Sequence, residues 1–496
     1  MPTIIYTIEE VFEEEDVHSF MIINILSIIY LLIVFCVFTI LKPMFRRPWL
    51  FITSCIYIGI MNMRALVAVL ITAIVFYLLA LGIERYREKQ SKNSKILMIL
   101  SAMAAALSLI AFKYAGVLGE KNWVNENIVS AFAVPIGFSF YLLGAVSYLR
   151  GVYSGTEKAQ RNLLNFCLYM CWFPKFVSGP IEEQNSFDKQ INNALSHRNS
   201  WDTIKTAALR ITYGMFLKLV VADRLGIYVD DIYLNMTEYG SIALAVGAIF
   251  YSVQIYCDFA GYTYFARGVS HLFGIELTEN FVTPYLAENI TEFWRRWHIS
   301  LSNWLKNNIY IPLGGNRKGN IRKAVNTIIV FVVSGFWHGA TLSFLIWGAL
   351  HGVYSIIADI FRKKKLTFFI KGISGRIINF GAVTFAWIFF RSQNVSEALN
   401  YIRCMFTNGI RLWYLGTHFR ETWRQFIDPI VTISFMLLIF AFDLIARRKS
   451  KDITEVIKSK GNACSLAFVY YMIVAVIVFG VYGASIFEKT YIYMQF

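Results

Sequence analysis

The stretch Val332-Val333-Ser334-Gly335-Phe336-Trp337-His338-Gly339-Ala340 places one ionisable ring and two glycines inside an apolar run. Basic blocks close it on both sides. Arg317, Lys318, Arg322 and Lys323 precede it, and Arg362, Lys363, Lys364 and Lys365 follow the next apolar run, Ala340–Ile360. The fifteen residues from Lys323 to His338 span about 22 Å as a helix, at ~1.5 Å each. A bilayer core is ~30 Å thick, so His338 reads as the tip of a buried helical hairpin with both ends on one side. Gly335 and Gly339 permit a tight or broken turn there. An ionisable group at such depth is costly and marks a functional site by default, and a near-neutral pKa suits proton transfer. The plain alternative is a histidine bonded to a neighbouring carbonyl.

The rest of the chain agrees with a membrane setting. Of 496 residues, 57% are hydrophobic and only 16% are charged, against ~45–50% and ~25% in soluble domains. Mean hydropathy is +0.51. An ordinary soluble enzyme could not cover its surface with so few charges. Further apolar windows are Ser19–Leu41, Ala65–Gly82, Ile96–Leu118, Thr327–Phe336, Ile377–Phe390, Ile427–Ile445 and Leu466–Ser485. Less sharply bounded segments near residues 50–62, 131–149, 162–180, 205–222 and 241–274 bring the expectation to about a dozen embedded, mostly helical segments. Short ones read as re-entrant or broken helices, which survive only where protein or a cavity surrounds them.

Lys and Arg exceed Asp and Glu by 47 to 32, a net charge of +15. The surplus does not spread as a nucleic-acid footprint would. It falls in five blocks at the edges of apolar runs. Besides the two already named they are Lys42 to Arg47, Arg85 to Lys95 and Arg447 to Lys451. The positive-inside tendency puts all five in the cytoplasm, with the acidic residues 9–16 and the C-terminus outside. No secretory signal or lipidation pattern is expected. The seven cysteines show no metal spacing and no disulfide framework; Cys167 and Cys171, one helical turn apart, read as small buried hydrophobes.

Among seven histidines, His18, His197 and His418 lie in polar or interfacial stretches, and His271 and His351 on apolar helices where a structural bond suffices. His298 stands apart. It lies in Asn289–Leu313, where Ile290, Phe293, Trp294, Trp297, Leu301, Trp304 and Leu305 follow helical spacing. Glu292, Arg295, Arg296, Asn303 and Lys306 take the other side. Asn289 with Glu292 resembles a capping box, and Pro312 with Gly314-Gly315 ends the run. Three tryptophans in one stripe suit a helix lying in the interface, with His298 beside the stripe, against the protein body. Asp258, in Tyr256-Cys257-Asp258-Phe259-Ala260-Gly261-Tyr262, is a carboxylate in apolar surroundings, either structural or in contact with a proton or cation. No P-loop, His-Glu-x-x-His or Gly-x-Ser-x-Gly signature is present.

Several of these motifs together resemble the membrane-bound O-acyltransferase (MBOAT) family. They are Phe293-Trp294-Arg295-Arg296-Trp297-His298-Ile299-Ser300-Leu301-Ser302, then Ile311-Pro312-Leu313-Gly314-Gly315-Asn316-Arg317-Lys318-Gly319, then Phe336-Trp337-His338-Gly339. Pro135 to Tyr141, Phe173 to Ile181 and the ending Tyr491 to Phe496 extend the likeness, which covers most of the chain beyond about residue 110. It is most similar to the alginate and polysaccharide O-acetyltransferase branch. One segment, Asp258 to Ala266, is closer to the teichoic-acid D-alanyl transfer branch, with Tyr264 where the alginate pattern has Asp.

The resemblance implies an all-α polytopic membrane protein, a ring of about a dozen transmembrane, re-entrant and interfacial helices around a central tunnel. It implies one integral-membrane domain over 1–496, with N-terminal helices over 18–118, a catalytic core over 119–361 and C-terminal helices over 362–496. His338 is then the catalytic histidine and His298 the second family histidine. Trp294, Trp297, Arg295, Arg296, Asn303, Trp337, Asp258, Arg317 and Lys318 would line the donor path, the basic ones attracting coenzyme A phosphates if they do not merely set orientation. No metal or resident cofactor is expected. The donor is acetyl-CoA or another acyl thioester, including an acyl carrier, from the cytoplasm. The acceptor is a partner protein or polysaccharide outside, and the setting is the bacterial cytoplasmic membrane. Alternatives are D-alanyl transfer for teichoic acid, and a glycan-precursor transporter or flippase with His338 in a proton relay.

Overall fold

The computed structural model describes residues 25–120, 134–196, 200–364, 371–410 and 424–482. The acidic segment 9–16, His18, His197, Lys365, His418 and the ending 491–496 lie outside the described residues. Among the described residues there are helices and no strands. Seven helices are long and apolar enough to cross a membrane: Met63–Glu88, Asn93–Tyr114, Ser241–Leu272, Leu342–Lys363, Gly372–Arg391, Pro429–Lys449 and Asn462–Phe479. Leu26–Ile40 is apolar but shorter. The chain is thus an all-α, polytopic membrane protein. It divides into two compact units interleaved in sequence.

The first unit comprises the described residues between 25 and 211, with 265–278 and 482. Its helices include α1 (Ile25–Ile40), α2 (Pro43–Met61), α3 (Met63–Glu88), α4 (Asn93–Glu120), α5 (Phe138–Ser154), α6 (Leu163–Cys171) and α7 (Gln184–Ala194). Asn62 breaks the apolar run between α2 and α3. Its backbone is extended and its side chain accepts the Ala65 N–H at 2.8 Å, capping α3. Buried Glu84 on α3 pairs with Arg161 at 2.6 Å and accepts the Ala159 N–H at 3.0 Å. Cys167 and Cys171 lie buried on α6 as free thiols. His271 makes the structural contact expected of it, Nδ1 to Glu276 at 2.8 Å.

Helix α8 (Trp201–Met215) runs from residues of this unit into those of the second, which comprises the described residues of 212–264 and 279–481. A π-helical segment, Phe216–Ala222, precedes α9 (Asp223–Leu234), and α10 (Ser241–Leu272) follows, its residues from Phe265 on counting with the first unit. Two short helices, α11 (Ile290–Trp294) and α12 (Ile299–Leu305), precede the hairpin of α13 (Gly319–His338) and α14 (Leu342–Lys363). Helices α15 (Gly372–Arg391), α16 (Val395–Thr407), α17 (Arg424–Lys449), α18 (Ile453–Lys458) and α19 (Asn462–Phe479) complete it.

The hairpin is built as its sequence suggests, with one difference. Helix α13 ends on His338 and α14 begins four residues later. At the open end, Asp359 of α14 binds Lys323 of α13 at 2.6 Å and Lys363 at 3.0 Å, so one carboxylate ties together the two basic blocks. The difference concerns the glycines. Gly335 lies inside helix α13 and Gly339 is extended, at φ −171°. Only Gly339 lies in the connection between the helices, and its extended backbone is open to any residue. A Cβ on Gly335 would collide with the Phe344 carbonyl oxygen, one on Gly348 with the Phe331 carbonyl oxygen, and one on Gly339 with the Phe344 ring. Gly335 and Gly348 are glycine because two helix backbones touch there, and Gly339 because the Phe344 ring lies against it, not because the chain needs an unusual φ.

Candidate active site

His338 is 3% exposed at the closed end of the hairpin. Three rings enclose its imidazole: Trp337 at 4.7 Å, Trp347 at 5.1 Å and nearly perpendicular, and Phe390 at 5.1 Å. Trp347 comes from α14 and Phe390 from α15, so the box needs three helices. Trp347 also stacks on Trp387 at 5.6 Å and 18°.

The His298 segment is not the continuous amphipathic helix expected over Asn289–Leu313. Its start is as expected. The Asn289 side chain accepts the Glu292 N–H at 3.0 Å, while Glu292 reaches back to the Glu288 N–H at 2.8 Å. The helix then stops at Trp294, and His298 adopts left-handed geometry, φ 44° and ψ 54°. A non-glycine residue rarely does so, and such conformations persist where the surroundings over-determine them. Here the cause is Asn280. Its carbonyl accepts the Ile299 N–H and its side-chain oxygen accepts the Ser300 N–H, each at 3.1 Å. Val282 and Arg296 add an N–H to carbonyl bond at 3.0 Å, and Arg296 also donates to Thr283 at 3.0 Å. The run beyond α12 turns π-helical at Lys306–Tyr310 before the Gly314-Gly315 turn.

This break turns His298 inward. It is 1% exposed, with its ring 4.7 Å from Phe259 and 6.3 Å from Trp337. Burial pushes its pKa down to about 3, so the ring is neutral at pH 7. Trp337 therefore lies against both His298 and His338. Trp297 is 1% exposed and packs on Phe293, Phe281 and Trp387 at 5.0–5.4 Å. Trp294 donates its indole N–H to Nδ1 of His351 at 3.3 Å.

The remaining expected residues divide. Asp258 does not face the histidines with a free charge. It accepts from Lys218 at 2.6 Å, and Lys218 also holds Asp223 at 2.7 Å, all three side chains buried. Its neighbour Phe259 makes the contact to His298 instead. Arg295 and Arg296 line a pocket of about 650 Å³ with Glu288, Glu292, Arg362 and Lys371, within the size range of small-molecule sites. Arg296 is tied to Glu292 at 2.7 Å, whereas Arg295 is exposed. Asn303 is exposed on α12, and Arg317 and Lys318 are exposed beyond the Gly314-Gly315 turn, outside this pocket's lining. The sequence gives no sign of Asn280, Trp347, Trp387 or Phe390 in the site, because their roles come from packing between distant segments. His351, expected to be structural, lies within the same aromatic box.

The family model described as membrane-bound O-acyltransferase matches residues 56–396. The chain is 31% identical to the peptidoglycan O-acetyltransferase of Helicobacter pylori, over 80% of each chain. It is 37% identical to a protein of Pseudomonas syringae pv. tomato named "Probable alginate O-acetylase AlgI", over 57% of this chain and 54% of that one. A teichoic acid D-alanyltransferase of Bacillus subtilis is more distant, at 27% identity over 61% of this chain and 77% of its own. The buried hairpin histidine, the inward-turned second histidine and these likenesses agree: the chain belongs to the membrane-bound O-acyltransferase family and is an O-acyltransferase.

Proposed function

We propose that the protein moves an acetyl group from a cytoplasmic thioester, acetyl-CoA or an acyl carrier, to a hydroxyl of a cell-envelope glycan or of a partner acceptor outside the bacterial cytoplasmic membrane. The observation that carries this reading is His338, buried in an aromatic box at the closed end of a hairpin whose other end gathers two basic blocks. A base at that depth reaches a donor from one face and an acceptor from the other. The relatives named for acetylation of peptidoglycan and alginate support acetyl as the group.

In this reading His338 accepts the proton of the acceptor hydroxyl as its oxygen attacks the thioester carbonyl carbon. The C–O bond forms, the C–S bond breaks, and the imidazolium returns its proton to the departing sulfur. The products are an ester and a free thiol, with no net proton change. A positioned base contributes typically 10²–10⁴-fold, and the dry aromatic surroundings strengthen each electrostatic contact. Arg295 and Lys371, on the 650 Å³ pocket, would attract donor phosphates.

A second reading is D-alanyl transfer, favoured by the Asp258 to Ala266 segment and by the Bacillus subtilis relative. The test offers labelled acetyl-CoA and a labelled D-alanyl carrier in parallel to membranes containing the protein. Acetyl label in an outer acceptor, absent with His338→Ala, is expected. D-alanyl label alone would replace the first reading with the second.

A further inference from the structure

His351 is fully buried on α14, and its two ring nitrogens have unequal surroundings. Nδ1 accepts the indole N–H of Trp294 at 3.3 Å. A neutral imidazole whose Nδ1 accepts carries its proton on Nε2. That Nε2–H is buried and, among the described residues, meets no acceptor. The indole N–H groups of Trp347 and Trp387 are likewise buried and unmatched. Buried donors without partners are uncommon. Three in one aromatic box are a pattern: Trp347 lies 5.1 Å from His351, His351 lies 6.1 Å from Trp387, and the two indoles stack.

The box adjoins the site already described. Trp347 is 5.1 Å from His338 and 5.1 Å from His351, ring centre to ring centre. The unmatched groups are all donors in apolar surroundings. That chemistry takes a carbonyl oxygen. It does not take a hydroxyl, which would also need an acceptor.

We propose that His351, held in its Nε2–H form by Trp294, donates a hydrogen bond to the carbonyl oxygen of the acyl donor beside His338, with the indole N–H groups of Trp347 and Trp387 as companion donors. As the acceptor oxygen attacks, charge builds on that carbonyl oxygen, and a preorganised donor stabilises it more than it stabilises the ground state. Trp294 acts through His351. It lies four residues before His298, so one bond links the His298 segment to the hairpin helix beside His338. The inference rests on acyl transfer and on His338 as base, and not on which thioester serves.

The test compares His351→Phe, His351→Gln, Trp294→Phe and the double variant Trp294→Phe/His351→Phe in purified protein, with whichever donor the wild type uses. His351→Phe is expected to lower kcat about 10²-fold with the donor KM unchanged. His351→Gln, which retains an N–H donor, recovers part of it. Trp294→Phe loses less than His351→Phe, and the double variant loses no more than His351→Phe alone. Wild-type kcat in a folded His351→Phe protein, a rise in KM alone, or additive losses in the double variant would each overturn the proposal. His338→Ala run alongside separates the two ideas. If it remains active, the base assignment fails, whatever His351 does.

Discussion

His338 is carried by a continuous twenty-residue helix that ends on it. His298 sits in a four-residue break between two helices of five and seven residues, in a conformation few side chains adopt. Both rings arrive against Trp337. The first is placed by a repeated local feature, glycines that let two helices touch. The second is placed by Asn280, eighteen residues upstream, which takes the N–H groups of the two residues after it. One site thus combines a rigid arm with a strained arm held from outside. Breaking the rigid arm should cost everything, and loosening the strained arm should cost by degrees.

The largest effect is expected at the hairpin. Gly348→Val drives a branched side chain into the Phe331 carbonyl. Overpacking of this kind costs about 1–3 kcal/mol, and the separation of α13 from α14 should abolish transfer. Melting temperature and activity of the purified protein check this together. Unchanged values would show that the close backbone approach is not what positions His338.

Next comes the strained arm. His298→Ala should cut transfer severely. His298→Gly should lose as much activity yet melt higher than His298→Ala, because glycine adopts φ 44° without the roughly 1–2 kcal/mol that a Cβ adds there. Equal melting temperatures would mean that the loop relaxes once the ring is gone. Asn280→Ala should lower kcat with His298 intact, since a lost buried acceptor leaves an N–H unmet at about 1–3 kcal/mol.

The pH dependence of stability sharpens the same contrast. His298 has a folded pKa of about 3, against an ordinary value near 6.5. The unfolded chain therefore binds a proton in that window that the folded chain does not. His298 contributes stability above about pH 6.5 that is lost as pH falls toward 3, by up to about 1.4 kcal/mol per unit. His298→Gln should flatten that slope relative to wild type in acid-melting curves. An identical slope would place the acid sensitivity elsewhere.

The smallest effect concerns the basic residues. Arg295→Ala and Lys371→Ala should raise the donor KM severalfold, whereas Arg317→Ala and Lys318→Ala should leave it nearly unchanged, because only the first pair lines the pocket. A reversed ranking in steady-state kinetics would move donor capture to the Gly314-Gly315 turn.

What could be read in advance follows the same division. The hairpin is legible because its signals are local: two basic blocks, apolar helices and small residues within one stretch. The stripe from Ile290 to Leu305 keeps helical spacing even where the backbone breaks, since the buried faces of α11 and α12 continue it. Periodicity alone therefore could not show the turn at His298, whose cause is a tertiary bond. His351, on an apolar helix, is expected to make a structural bond, and it makes one to Trp294. Its unmatched second nitrogen is a property of the packed box and leaves no trace in spacing. Spacing does not reveal the cation that Asp258 meets, because Lys218 is forty residues away.

If His338, at the closed end of the hairpin, is the base for acyl transfer, removing its ring removes transfer. The direct measurement is single-turnover transfer of labelled acyl group by purified His338→Ala protein that inserts and melts as wild type does. The account predicts a loss of at least about 10²-fold with donor binding retained. Wild-type transfer by that variant would contradict it.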